Sequence, residues 1–91
     1  MSLSPASSIV IDLLLMSDAV AEGNVSDVRR LARRIQQTAE PTRFVRVARH
    51  ARHIEEIASD GVKEDELASA MRKLLRESEH EIAGFGHILY S

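Results

Sequence analysis

Two residue types in this 91-residue chain could do chemistry: four histidines and a dense set of arginines. His50 and His53 stand three apart, a spacing at which two imidazoles on one helix can share a metal ion, provided further ligands are supplied. Glu55 and Glu56, the nearest acids, complete no recognised ligand pattern, so no metal site is expected. His50 flanks an apolar stripe, whereas His53 falls on a more exposed side. Ser59 and Asp60 beside His53 read as turn chemistry rather than as parts of a triad. The acids Glu64, Asp65 and Glu66 suit the positive end of a helix dipole better than acid–base work. Cysteine is absent, which excludes disulfides, zinc–thiolate centres and thiol nucleophiles. No glycine-rich phosphate loop, nucleophile elbow or metalloprotease motif is present. The expectation is a binding protein with no catalytic residue of its own and no cofactor.

The arginines are not scattered. Residues 1–28 carry Asp12, Asp18, Glu22 and Asp27 with no Lys or Arg, residues 29–53 carry eight Arg against Glu40 alone, and residues 54–91 carry nine acids against four bases. The net charge of −2 hides this division. Arg29, Arg30, Arg33 and Arg34 lie on one segment, and Arg43, Arg46, Arg49 and Arg52 step by three along the next. Arginine throughout favours planar, bidentate contacts to carboxylates or phosphates over plain solubility. Two outcomes are open. The arginines of the second and third helices can pair with Glu and Asp of the first and fourth, or they can present an anion-seeking surface to an acidic protein or a nucleic acid.

Four apolar patterns must position these groups. Ser4-Pro5 is a helix start, with Ser as N-cap and Pro at the first helical position. Ile9, Leu13, Met16 and Val20 follow at helical spacing, and Gly23 is a natural stop. Ile11, Leu14 and Leu15 widen that stripe, which predicts a first helix buried on more than one side. Asn24 or Ser26 starts the second helix, whose stripe is Val28, Leu31, Ile35 and Ala39. It should stop near Glu40, because Pro41 disfavours helical geometry in the residue before it. The third carries Phe44, Val47, Ala51, Ile54 and Ala58 and ends at Asp60-Gly61. The fourth starts near Lys63 and carries Leu67, Met71, Leu74, Ser78 and Ile82. No segment alternates with period two.

Short joints between amphipathic helices predict an all-α, antiparallel up-down four-helix bundle. It forms one domain over residues 1–91, with the bundle at about 5–83 and an apolar tail at 84–91. The longest apolar run, Ile9 to Met16, is broken by Asp12 and falls short of the roughly 20 residues needed to span a bilayer. No membrane partner is expected, and the expected setting is the cytoplasm.

The layout over about residues 9–83 resembles the histidine-containing phosphotransfer (HPt) domain of bacterial two-component phosphorelays. Ala19-Val20-Ala21-Glu22-Gly23-Asn24 is similar to that family's first joint. Val28-Arg29-Arg30-Leu31-Ala32 resembles the lead-in to its phosphoacceptor, and Ile54-Glu55 stands where it carries a Leu-Glu pair. The departures fall on the chemistry. Where the family has Ala-His-x-Leu-Lys-Gly, this chain has Ala32-Arg33-Arg34-Ile35-Gln36-Gln37. Arg33 replaces the acceptor, Gln36 the lysine, and Gln37 the glycine that leaves room for the partner.

The resemblance therefore implies a degenerate HPt-like signalling module, unable to accept phosphate at the family position. It would bind a protein partner, a response-regulator receiver domain, through the second-helix face of Arg29, Arg30, Arg33, Arg34, Gln36 and Gln37. Three alternatives stand beside it. One is an active phosphotransfer protein using His50 or His53. Another is an arginine-rich nucleic-acid-binding bundle, disfavoured by the scarcity of aromatics for stacking. The last is a structural module that self-associates through its apolar tail.

Overall fold

A computed structural model describes residues 3–61 and 63–85. Within them the chain forms four α-helices and no strand: α1 (Pro5–Glu22), α2 (Val25–Ala39), α3 (Val45–Ser59) and α4 (Glu64–Glu81). The helices touch in a closed ring, α1 on α2, α2 on α3, α3 on α4 and α4 on α1. This is compatible with a four-helix bundle. No described helix is long and apolar enough to cross a membrane.

Local chemistry sets most of the helix ends. The Ser4 hydroxyl accepts from the Ser7 N–H at 3.1 Å, and Pro5 occupies the first helical position. At the other end of α1, Gly23 takes φ +71°. The Asn24 N–H then reaches back to the Ala19 carbonyl at 2.9 Å, a Schellman closure. Asn24 also opens the next helix, since its side-chain oxygen accepts from the Asp27 N–H at 3.2 Å. One residue thus ends α1 and caps α2, which keeps the joint short.

The α2 boundary falls where expected but for a different reason. Glu40 keeps right-handed helical angles despite preceding Pro41. Pro41 ends the helix instead by having no N–H to donate. The Thr42 hydroxyl compensates by donating to the Thr38 and Ala39 carbonyls at 2.9 and 3.1 Å. Arg43 then turns the chain with φ +63°, and the Phe44 N–H closes on the Ala39 carbonyl at 3.0 Å.

The four stripes meet in one core. Leu13, Leu31, Ile35, Val47, Ala51, Ile54, Met71 and Leu74 are all buried, and Ile82 and Phe85 fold back onto them beyond α4. The rest of the apolar tail, from Gly86 on, lies outside the described residues, as does His87. One expectation is overturned. Ile11, Leu14 and Leu15 do not bury a second side of α1 but remain exposed. The reason is placement: α1 contacts only α2 and α4, both on the side of Ile9, Leu13 and Met16, and nothing described covers the opposite side.

The start of α3 has no cap of its own, because Phe44 offers no side-chain acceptor. The Arg46 and Val47 N–H groups donate instead to the two carboxylate oxygens of Glu81, at 3.0 and 2.9 Å. The last residue of α4 therefore caps the first turn of α3.

Candidate functional site: the arginine face of the second helix

In α2 the buried residues Val28, Leu31, Ala32, Ile35 and Ala39 occupy one side. At 3.6 residues per turn, Ser26, Arg29, Arg30, Arg33 and Gln37 then fall on the opposite side, with Arg34 and Gln36 at its two edges. All of these except the half-buried Gln36 are exposed. Arg29, Arg30, Arg33, Arg34 and Gln37, with Ser26 and Ser59, line an open cavity of about 520 Å³.

Two of the arginines are tied to neighbouring helices. Toward α1, the Arg34 guanidinium lies 3.2 Å from Asp12. Toward α3, Arg33 places both Nε and Nη2 3.0 Å from one carboxylate oxygen of Glu55. Gln36 donates to the other oxygen of the same carboxylate at 2.8 Å. Arg30 sits 3.5 Å from Asp27 on its own helix. Arg29 has no carboxylate partner among the described residues. The face is thus part structural and part available. Each guanidinium carries five donors, so a single carboxylate leaves most of them directed outward. Holding Arg33 and Arg34 in place also reduces the ordering cost of binding an anion.

The two partner carboxylates respond in opposite ways. Burial pushes the Asp12 carboxyl up, and the positive charges of Arg34 and Arg30 only partly offset this. One Asp12 oxygen is buried without an aligned hydrogen bond, so its contact with Arg34 is an ion pair rather than a well-directed bond. Glu55 is held below the ordinary carboxylate range, chiefly by the Gln36 amide; burial pushes the other way, and the hydrogen bond and charge of Arg33, with the charge of Arg29, add to the lowering.

Sequence patterns had not marked either acid as a partner. For Asp12 a signal was present, since it stands three residues after Ile9 and four before Met16, on the apolar side of α1. An acid there must find a cation or stay neutral. Glu55 carried no comparable signal.

The second arginine set is more dispersed. Arg46 lies 3.5 Å from Glu77 on α4, and Arg52 lies 3.3 Å from Glu40. Arg34 and Arg46 thus pair with the first and fourth helices as expected. Arg33 and Arg52 instead pair between α2 and α3, whose arginine-bearing sides lie next to one another, so pairing and surface presentation coexist. Arg49 and Arg52 line a second open cavity of about 460 Å³ with the half-buried His50, the exposed His53, Glu56 and Lys73. His50 and His53 thus share one surface on α3, separate from the α2 face. Among the described residues no three His, Asp or Glu side chains converge as metal ligands.

Comparison with protein-family models, with curated proteins and with solved structures finds no match to this chain.

Proposed function

We propose that this chain is a cytoplasmic signalling module of HPt type, an antiparallel up-down bundle that binds a protein partner instead of relaying phosphate. The antiparallel arrangement is supported by the short joints and by Glu81 at the end of α4 capping the start of α3. The partner is an acidic protein surface of the kind a response-regulator receiver domain presents around its phosphorylated aspartate.

The observation that carries this reading is the gathering of Arg29, Arg30, Arg33 and Gln37 on the solvent side of α2, around one open cavity. At the position where HPt domains hold a phosphoacceptor, Arg33 offers a guanidinium that stays protonated and has no lone pair for attack on a phosphoryl group. It can still donate to a carboxylate or a phosphate. Gln37 fills the place of the family's glycine and lines the same cavity.

The test is to mix the chain with receiver domains, unphosphorylated and phosphorylated with radiolabel, and to measure both binding and label transfer. Binding without acid-labile label is expected. Arg29→Glu and Arg33→Glu should weaken binding far more than Arg52→Glu, which reverses a charge on α3. Absence of binding to any receiver tested would overturn the proposal.

A second reading has its own observation. His53 is exposed and lines a cavity with Arg52 and Lys73, which offers a solvent-facing imidazole near cations. Label on the parent chain that disappears in His53→Ala or His50→Ala would establish active phosphotransfer in place of the binding-only module.

A further inference from the structure

The outer side of α1 is an apolar surface that the described structure leaves uncovered, whereas the exposed Leu3 and Val45 lie outside it. Ile11, Leu14 and Leu15 are 42%, 46% and 48% exposed, and their spacing of three and four joins them into one patch. A helix this apolar on its solvent side differs from α2 and α4, whose outer sides are charged.

The polar residues along this side are sorted by end, neutral before the patch and acidic after it. Ser4 and Ser7 precede the patch, Asp18 and Glu22 follow it, and all four fall on the same side of the helix by its 3.6-residue period. This order runs against the helix dipole, which favours acids near the N-terminus and cations near the C-terminus. The first turn of α1 has no acid and its last turn no base. The helix therefore has only the neutral Ser4 cap, and no carboxylate, in its first turn and sets carboxylates at its negative end.

We infer that α1 is a self-association surface, on which a second copy of this chain lays its own α1 antiparallel across Ile11, Leu14 and Leu15 to form a twofold dimer. With the three apolar side chains at the crossing, Asp18 of one copy comes level with Ser7 and Ser8 of the other. Glu22 comes level with Ser4 and the positive end of the partner helix. Each copy thus supplies the acids that the other's N-terminal half lacks. A parallel crossing would instead stack Asp18 on Asp18 and Glu22 on Glu22, which repel. Two-fold symmetry also satisfies both copies with one patch, as an isologous interface requires. The α2 face takes no part, so this inference is independent of the proposed docking function. Three half-exposed aliphatic side chains per copy fall short of the ~800 Å² per partner of a standard interface, so the dimer is weak and concentration-dependent.

Sedimentation equilibrium on the intact chain, from micromolar to millimolar concentration, tests the inference. The mass should rise from 10.1 kDa toward twice that value. Leu14→Glu should raise the dimer dissociation constant roughly tenfold or more, because it removes apolar burial and forces a carboxylate into the contact. Circular dichroism should show the variant still helical, since Leu14 is half exposed. A chain that stays monomeric throughout, or a dimer untouched by Leu14→Glu, overturns the inference. Orientation has a separate readout, because the chain has no native cysteine. Ser7→Cys mixed with Asp18→Cys should oxidise to the mixed disulfide in preference to either homodisulfide. Predominant Asp18→Cys homodisulfide overturns the antiparallel arrangement.

Discussion

Replacing Arg34 by alanine should destabilise the protein chiefly through the residue it leaves behind, and the loss should shrink in acid. The Asp12 side chain is only 2% exposed, while Arg34 is 53% exposed. Removing one partner of a fully buried pair costs roughly 3–5 kcal/mol, and exposed pairs contribute about 0–1 kcal/mol. A pair with one member buried and the other half in water belongs between these limits, so Arg34→Ala should cost about 2 kcal/mol at neutral pH. Helix propensity cannot supply this loss, since alanine is the better helix former.

The pH dependence follows from burial. Asp12 titrates above its unfolded value, so between the two pKa values the folded state holds more protons than the unfolded state. Stability then falls as pH rises through that window. Without Arg34 the folded pKa climbs further, and the penalty for the charged form grows at neutral pH but not below the window. Urea unfolding of parent and variant, followed by circular dichroism at neutral pH and near pH 3, below the ordinary aspartate value, measures the difference. Adding Asp12→Asn to Arg34→Ala should recover most of the loss, because the neutral amide needs no cation. An equal loss at both pH values, or no recovery in the double variant, would refute the reasoning.

Glu55→Gln should act with the opposite sign. The folded pKa of Glu55 is lowered, so its contribution is present above the unfolded carboxylate pKa and disappears as pH falls through the folded value. With Arg33 largely exposed, the loss at neutral pH should be about 1 kcal/mol, fading in strong acid, as measured by urea unfolding across pH. Glu81→Ala should cost roughly 1 kcal/mol, the typical value of a lost N-cap, read from the urea midpoint. Arg43→Gly should raise thermal stability by about 0.5–1 kcal/mol, because φ +63° is strained for arginine and free for glycine.

The α2 face was legible because one period of 3.6 residues sorts Val28, Leu31 and Ile35 to one side and Arg29, Arg30 and Arg33 to the other. The starts and stops at Ser4-Pro5, Gly23-Asn24 and Asp60 were legible for a similar reason, since each is set by residues next to one another in the chain. The ties of Arg34 to Asp12, of Arg33 and Gln36 to Glu55, and of Glu81 to the start of α3 were not. They depend on how two helices are offset along their axes, which no spacing within either helix encodes. Ile11, Leu14 and Leu15 were misread for a related reason. Periodicity shows which residues are apolar on each side of a helix, but it does not show on how many sides that helix has neighbours.

Glu81 gives the two ends of the α3–α4 hairpin a shared fate. Its hydrogen bonds to Arg46 and Val47 close loops of 35 and 34 residues, so these two first-turn N–H groups of α3 gain their protein partner only once α4 has formed and docked. Most helix starts fray locally, and their amide protons exchange with solvent through small openings. Here the Arg46 and Val47 amides are bonded to a residue at the far end of the next helix, so lifting the end of α4 also releases them and their exchange should report the opening of that hairpin. Cutting the chain before residue 81 would then register as faster exchange at the start of α3, far from the cut in sequence.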